Sequence, residues 1–73
     1  MAKYDLVGVD GNAFSIMGYT SRALRNEGLR ELEEEMTKKA MSGDYWHLIR
    51  VRDEYVQMAN KKADENGWEG EEE

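Results

Sequence analysis

The 73-residue sequence contains no cysteine and no proline, a single histidine and a single phenylalanine. Without cysteine the chain has no disulfide framework and no thiolate metal site, which is typical of proteins from reducing compartments. The lack of proline, together with 36% charged residues, favours helix. No apolar run approaches the ~18 residues of a membrane-spanning helix, and the first residues lack the apolar stretch of a signal peptide. We therefore expect a cytoplasmic protein that needs no cofactor.

The net charge of −6 is concentrated at the C-terminal end of the sequence. Residues 64–73 contain six acidic side chains and no basic one, whereas residues 1–63 contain ten of each. A neutral body favours neither a DNA mimic, which needs carboxylates over a face, nor a nucleic-acid-binding surface. We predict one helical domain over residues 1–63, followed by an acidic, disordered tail over residues 64–73.

Apolar residues recur at helical spacing in three segments, over residues 12–27, 29–41 and 45–63. Asn12, Gly28 and either Ser42 or Asp44 provide the capping chemistry at the ends of these helices. The predicted core positions are Ala13, Ile16, Met17, Thr20, Ala23, Leu24, Leu29, Leu32, Met36, Ala40, Tyr45, Leu48, Ile49, Val51, Tyr55, Val56, Met58, Ala59 and Ala63. The pattern predicts an all-α fold, a small three-helix bundle whose limited core is marginally stable unless self-association adds to it.

Two parts of the pattern fit this bundle less simply. Residues 11–21 carry no charge, so the first half of the first helix is expected to be buried on more than one side, although Phe14 lies off the main stripe. Residues 4–9 form the one β-like run, with Leu6, Val7 and Val9 interrupted by Gly8. Since the chain offers no second strand, this short extended segment packs as coil, pairs with a second copy, or pairs with a partner.

The sharpest motif for an enzyme is Asp10-Gly11-Asn12 between the apolar run and the first helix. It resembles the opening of PIN-like and NYN-type nucleases, in which an aspartate at the end of a strand binds a divalent metal. The resemblance covers about ten residues, and the further strands and carboxylates of those families do not follow. A helix cap or turn is the competing interpretation. His47, the only histidine, lacks the partners of a catalytic set and is interpreted as structural.

Four residues of the last helix and tail are candidates for contact with a protein partner. Trp46 lies off the core stripe and either covers the first helix or the N-terminal segment, or stays exposed one turn before Arg50. Arg52 falls inside the core stripe, where its guanidinium could reach Glu27 or Asp10, or bind an anionic group of a partner. Trp68 folds back onto the bundle, belongs to a plain solubilising tail, or forms part of an acidic–aromatic recognition segment.

A DNA-binding regulator is the third class of function that the sequence leaves open. Arg22, Arg25 and Arg30 could line one side of the first two helices, as a helix-turn-helix reader requires. Such a reader also needs a positive field around these residues, and the neutral body does not provide one.

The stretch YDLVGVDGNAFSIMGYTSRALRNEGL, followed by SGDYWHLIRV, resembles a group of short uncharacterised proteins met in phages, prophages and bacterial genomes. The resemblance covers most of residues 4–51 and implies no catalytic residue. What it implies is context: small phage-type proteins without enzyme motifs are often inhibitors or adaptors that bind a host protein, which favours such a role here. The leading prediction is thus a non-enzymatic interaction module that binds a protein partner and can form a homodimer. The predicted partner-binding residues are Trp46, Arg50, Arg52, Leu6, Val7, Val9 and Trp68.

Overall fold

The computed structural model describes residues 2–6 and 10–68, and within these residues it contains three helices and no strand. The helices are α1 (Ala13–Asn26), α2 (Arg30–Ala40) and α3 (Tyr45–Glu65), and each packs against the other two. The start of α3 contacts the loop before α1 through Tyr45 and Gly11, and the ends of both helices meet through Asn66 and Glu27. Helices α1 and α3 therefore run parallel, with α2 antiparallel to both, which confirms the all-α three-helix bundle.

Side-chain caps fix where α1 and α3 begin. The Asn12 side chain accepts a hydrogen bond from the backbone N–H of Phe14 at 2.8 Å, and Asp44 accepts one from His47 at 2.9 Å. Each cap satisfies a donor that has no partner inside its helix. Of the two candidates for capping the third helix, the structure selects Asp44, since Ser42 instead donates to the Lys39 carbonyl.

Glycines with left-handed backbone end α1 and α3 in the same way. Gly28 has φ of 78°, and Leu29 donates its N–H to the Leu24 carbonyl at 2.9 Å. Gly67 has φ of 95°, and Trp68 donates to the Ala63 carbonyl at 3.0 Å. Both arrangements are Schellman motifs, in which the glycine takes a conformation that side chains disfavour.

The second Schellman motif corrects the expected start of the tail. Helix α3 continues through Asp64 and Glu65, which the composition had assigned to a disordered tail, and the cap orders the chain as far as Trp68. Residues 69–73 lie outside the described residues.

The core forms where the three predicted stripes meet. Its buried members are Ile16, Thr20, Ala23, Leu24, Met36, Ala40, Leu48, Val51, Tyr55, Val56, Ala59 and Ala63, all of them predicted core positions. Leu29, Leu32, Met17, Ile49 and Met58 are half-buried at its edge. Ala13 and Tyr45 were expected in the core but are exposed, because both lie in a first helical turn with no further turn beyond it to cover them.

The N-terminal segment, residues 2–6, packs as coil along α1 and α3. The backbone of Tyr4 bonds to the Asn60 side chain, and the Tyr19 hydroxyl donates to the Asp5 carbonyl at 2.8 Å. Leu6 is half-buried beside α3. Within the single chain these residues pack as coil, and pairing with a second copy or a partner stays a prediction. Val7 and Val9 lie outside the described residues.

Candidate protein-binding surface

The large apolar side chains that remain exposed in the described part of the chain all lie at one end of the bundle. Phe14 is 88% exposed, Met41 74%, Trp46 68% and Tyr45 41%. Phe14 is in the first turn of α1, Met41 caps the C-terminus of α2, and the other two begin α3. We call these four residues the exposed apolar end. The largest apolar patch on a monomeric protein is often a functional surface.

Tyr45 connects the elements of the exposed apolar end. Its hydroxyl donates to the Gly11 carbonyl at 2.6 Å, which ties the loop before α1 to the start of α3. Its ring stands edge-on to the Trp46 ring, with centroids 5.5 Å apart and planes at 80°. This T-shaped contact is a favourable aromatic geometry and orients Trp46 without burying it.

A cavity of about 270 Å³ opens between the helix ends. Met17 of α1, Met41 after α2, and Tyr45 and Leu48 of α3 provide its apolar wall, and Ala13 also lines it. Phe14 immediately follows Ala13 in the first turn of α1. The exposed apolar end thus combines exposed aromatic rings with an apolar recess that is open to solvent.

The turn between α2 and α3 fixes the geometry of the exposed apolar end. The His47 ring nitrogen Nε2 lies 2.8 Å from the Lys39 carbonyl oxygen, so the ring bridges the end of α2 and the start of α3. A Cβ atom on Gly43 would lie 2.6 Å from ring atoms of His47. Only glycine therefore lets the turn pass this close to the ring, and His47 has the structural role expected from the sequence.

The three predicted partner-binding residues on α3 have different surroundings in the structure. Trp46 is exposed, so its interpretation as a cover for α1 or the N-terminal segment is wrong. Arg50 is also exposed and makes no ion pair within the described residues. Arg52 is half-buried and bonds the neighbouring Asp53 through Nε and Nη2, at 2.9 and 2.8 Å, rather than the expected Glu27 or Asp10.

The other predicted contacts lie away from the exposed apolar end. Leu6 lies in a groove between the N-terminal segment and α3. Trp68 is half-buried at the C-terminal end of α3, where its backbone N–H donates to the Ala63 carbonyl. The structure therefore does not bring Leu6 or Trp68 together with Trp46. Val7 and Val9 fall outside the described residues.

Asp10, the candidate metal ligand of the nuclease alternative, has a local role. Its Oδ1 accepts the backbone N–H of Asn12 at 3.1 Å, which shapes the turn into α1. Among the residues that the structure describes, no three His, Cys, Asp or Glu side chains are placed to hold a metal ion.

Of the three arginines of the DNA-binding alternative, Arg25 is engaged with a carboxylate. Arg25 bonds Glu33 through Nη2 at 2.5 Å, and Ser21 also donates to Glu33. The hydrogen bond from Arg25 lowers the pKa of Glu33 and keeps that carboxylate charged among the arginines.

A buried carboxylate anchors the N-terminal segment at the opposite end of the bundle. Glu27 accepts hydrogen bonds from Lys3 at 2.8 Å, the Tyr4 hydroxyl at 2.5 Å and Asn66 at 3.2 Å. Burial raises the pKa of Glu27, but these three donors outweigh burial, and the pKa is lowered. This cluster is a structural clamp, since both carboxylate oxygens accept hydrogen bonds from other parts of the chain.

The sequence reasoning missed Phe14 and Met41 as parts of a surface. The lack of charge in residues 11–21 predicted burial on more than one side of α1, and this prediction is wrong. Phe14 is almost fully exposed, and a Cβ atom on Gly18 would meet nothing within 4 Å. The available signal was the position of Phe14 off the main stripe. An apolar residue off the stripe of an uncharged helix is compatible with an interface as well as with a core.

Comparison of the chain with protein-family models, curated proteins and solved structures finds no match. Within residues 2–6 and 10–68, no helix is both long enough and apolar enough to cross a membrane.

Proposed function

We propose that this protein is a small non-enzymatic interaction module of the cytoplasm, which binds another protein through the exposed apolar end. One observation carries the proposal: the four large apolar side chains left exposed in the described residues share one end of the bundle. Burial of this surface against a partner removes apolar area from water, which is the main driving force of protein association.

The chemistry of the surface supports a protein as the ligand. Tryptophan, tyrosine and arginine are the residues enriched at energetic hot spots of interfaces. Trp46 and Tyr45 supply such aromatic anchors, and Arg50, one turn after Trp46, supplies a cation without an ion-pair partner among the described residues. We assign Arg50 to the rim of the site, where it favours a partner carboxylate.

The proposal revises the predicted binding residues. Trp46 and Arg50 remain, and Phe14, Met41 and Tyr45 join them. Arg52 is engaged with Asp53, while Leu6 and Trp68 belong to other parts of the bundle. An inhibitor or adaptor of a host protein, as the resemblance to phage-type proteins implies, would act by covering or recruiting its target with this end. No observation favours the nuclease or the DNA-binding alternative.

Capture of partners by immobilised protein, from a lysate of cells that carry the gene, tests the proposal. We expect Phe14→Ala and Trp46→Ala to reduce capture of a specific partner at least about tenfold, since truncation of a hot-spot aromatic has an effect of this order. Helicity should stay unchanged, because both side chains are exposed. Gln57→Ala is the matched control on an exposed position of α3.

Two results would contradict the proposal. Capture that survives both aromatic variants would place the binding surface elsewhere. Unfolding by Trp46→Ala, seen as lost circular dichroism, would make Trp46 a core residue rather than a contact residue.

A further inference from the structure

We propose that the partner of the exposed apolar end is a second copy of this chain, with Phe14 of each copy seated in the end cavity of the other. This inference rests on the proposed function, because it names an occupant for the same surface. It predicts a dimer with two-fold symmetry.

The surface carries both halves of a self-complementary contact. Phe14 projects from the first turn of α1 with 88% of its area exposed. The cavity beside it, lined by Met17, Met41 and Leu48, has a volume of about 270 Å³. The recess is open to solvent and its wall is mostly apolar, so an aromatic ring from another copy can enter it. A two-fold interface uses the same patch on both copies, and a knob next to a hole meets that condition.

The charge distribution allows two such ends to approach. Residues 11–21, which include the exposed first turn of α1, carry no charge. The Asp44 carboxylate at the rim of the cavity is engaged as the cap of α3. Asp64 and Glu65 lie in the last turn of α3, at the opposite end of the bundle. The dimer therefore joins ends that lie away from the acidic last turn of α3, which limits repulsion between copies.

The exposed area is sufficient for a weak dimer. Aromatic side chains each carry about 150–250 Å² of surface. At the observed exposures, the four residues of the exposed apolar end amount to roughly 500 Å² per copy, and complete burial of all four in both copies reaches the ~1,000 Å² at which specific interfaces begin. A chain this small also gains stability from association, because its own core is limited.

The native mass by size-exclusion chromatography with light scattering, over a wide range of concentrations, tests the dimer. We expect the wild type to approach twice its 8.5 kDa chain mass at high concentration. Phe14→Ala should raise the dissociation constant at least about tenfold, since each dimer loses two buried rings. Phe14→Glu should be monomeric throughout, whereas Gln57→Glu, which adds the same charge on another exposed position, should dimerise like the wild type.

A half-labelled sample identifies the contact itself. In an isotope-filtered NMR experiment, the Phe14 ring should show cross-copy contacts to the methyl groups of Met17 and Met41. A wild type that stays monomeric at the highest concentration overturns the dimer but leaves the proposed function to the capture experiment. A dimer that Phe14→Glu does not weaken, or that lacks these cross-copy contacts, also overturns it. A different result contradicts the proposed function: Phe14→Ala and Trp46→Ala both leave binding to every partner intact.

Discussion

The side-chain amide of Asn60 bonds both backbone polar groups of Tyr4, 56 positions earlier in the chain. Its Oδ1 accepts the Tyr4 N–H at 2.7 Å, and its Nδ2 donates to the Tyr4 carbonyl at 3.1 Å. The amide thus acts towards the N-terminal segment as one residue of a neighbouring strand would. A segment with β-like sequence and no strand to pair with is held by a helix side chain instead.

Substitution of Asn60 should weaken the attachment of the N-terminal segment to α3. Asn60→Leu loses both bonds, and we expect it to lower the free energy of unfolding by about 1–3 kcal/mol. Asn60→Asp keeps the acceptor but places a carboxylate against the Tyr4 carbonyl, so it should also destabilise the fold. Chemical denaturation and hydrogen exchange at the Tyr4 amide measure both effects. Lys61→Ala, at the next and exposed position of α3, is the control. An unchanged Tyr4 exchange rate in Asn60→Leu would show that Asn60 does not hold the N-terminal segment.

Glu27 should make the stability of the bundle depend on pH. Burial raises its pKa, but the bonds from Lys3, Tyr4 and Asn66 lower it below the ordinary value of 4.5. A carboxyl whose pKa is lower in the folded chain stabilises the fold above its unfolded pKa. This contribution is lost as the pH falls below about 4.5 and through the folded pKa.

Comparison of Glu27→Gln with the wild type isolates that contribution. The free energy of unfolding, followed between about pH 7 and pH 3, should fall less steeply in the variant. Glu33, whose pKa the bond from Arg25 lowers, is present in both proteins, so its effect cancels in the difference. Parallel curves for the two proteins would show that ionisation of Glu27 contributes nothing to the pH dependence of stability.

Two glycines offer a matched pair of alanine substitutions with opposite expected signs. Gly18 is in α1, and a Cβ atom at this position would stand in open space, so Gly18→Ala should stabilise the protein by up to ~1 kcal/mol through helix propensity. Gly43→Ala would place a Cβ atom 2.6 Å from the His47 ring and should destabilise the protein by about 1–3 kcal/mol. Thermal unfolding of both variants checks the signs, and a stabilised Gly43→Ala would contradict the described turn.

Removal of the Tyr45 hydroxyl should loosen the exposed apolar end without unfolding the bundle. Tyr45→Phe loses the bond to the Gly11 carbonyl, which is solvent-accessible, so the expected cost is only about 0.5–1 kcal/mol. Amide exchange at Asn12 and Ala13 should rise as the loop before α1 is released. Unchanged exchange there would mean that Tyr45 does not organise this end.

Sequence patterns predicted most of the fold, because helix positions and helix ends depend on residues close together in the chain. Apolar spacing placed the buried residues of α3, Asn12 caps α1, and Gly28 ends it as expected. The second Schellman motif, at Gly67, was missed because the acidic composition around it indicated disorder. The clamp between Glu27 and Lys3 could not be predicted, since the charges of residues 24 positions apart carry no signal of contact.

The candidate site was predicted only in part for a related reason. Helical periodicity tells which face of a helix is apolar, but not whether a given turn lies under a neighbour or at an open end. Tyr45 is on the apolar face of α3 yet exposed, because it begins the helix. Trp46 and Arg50 were identified from residue type and helical position, whereas Phe14 and Met41 join them only once the three helices are assembled.

Photo-crosslinking from the exposed apolar end tests the central claim most directly. A benzoylphenylalanine at position 14 or 46 should form a discrete protein adduct in cells that carry the gene, with a second copy or another protein. The same group at position 57 should form none. Adducts at position 57 as abundant as those at positions 14 and 46, or no adducts at positions 14 and 46, would contradict the assignment of this end as the binding surface.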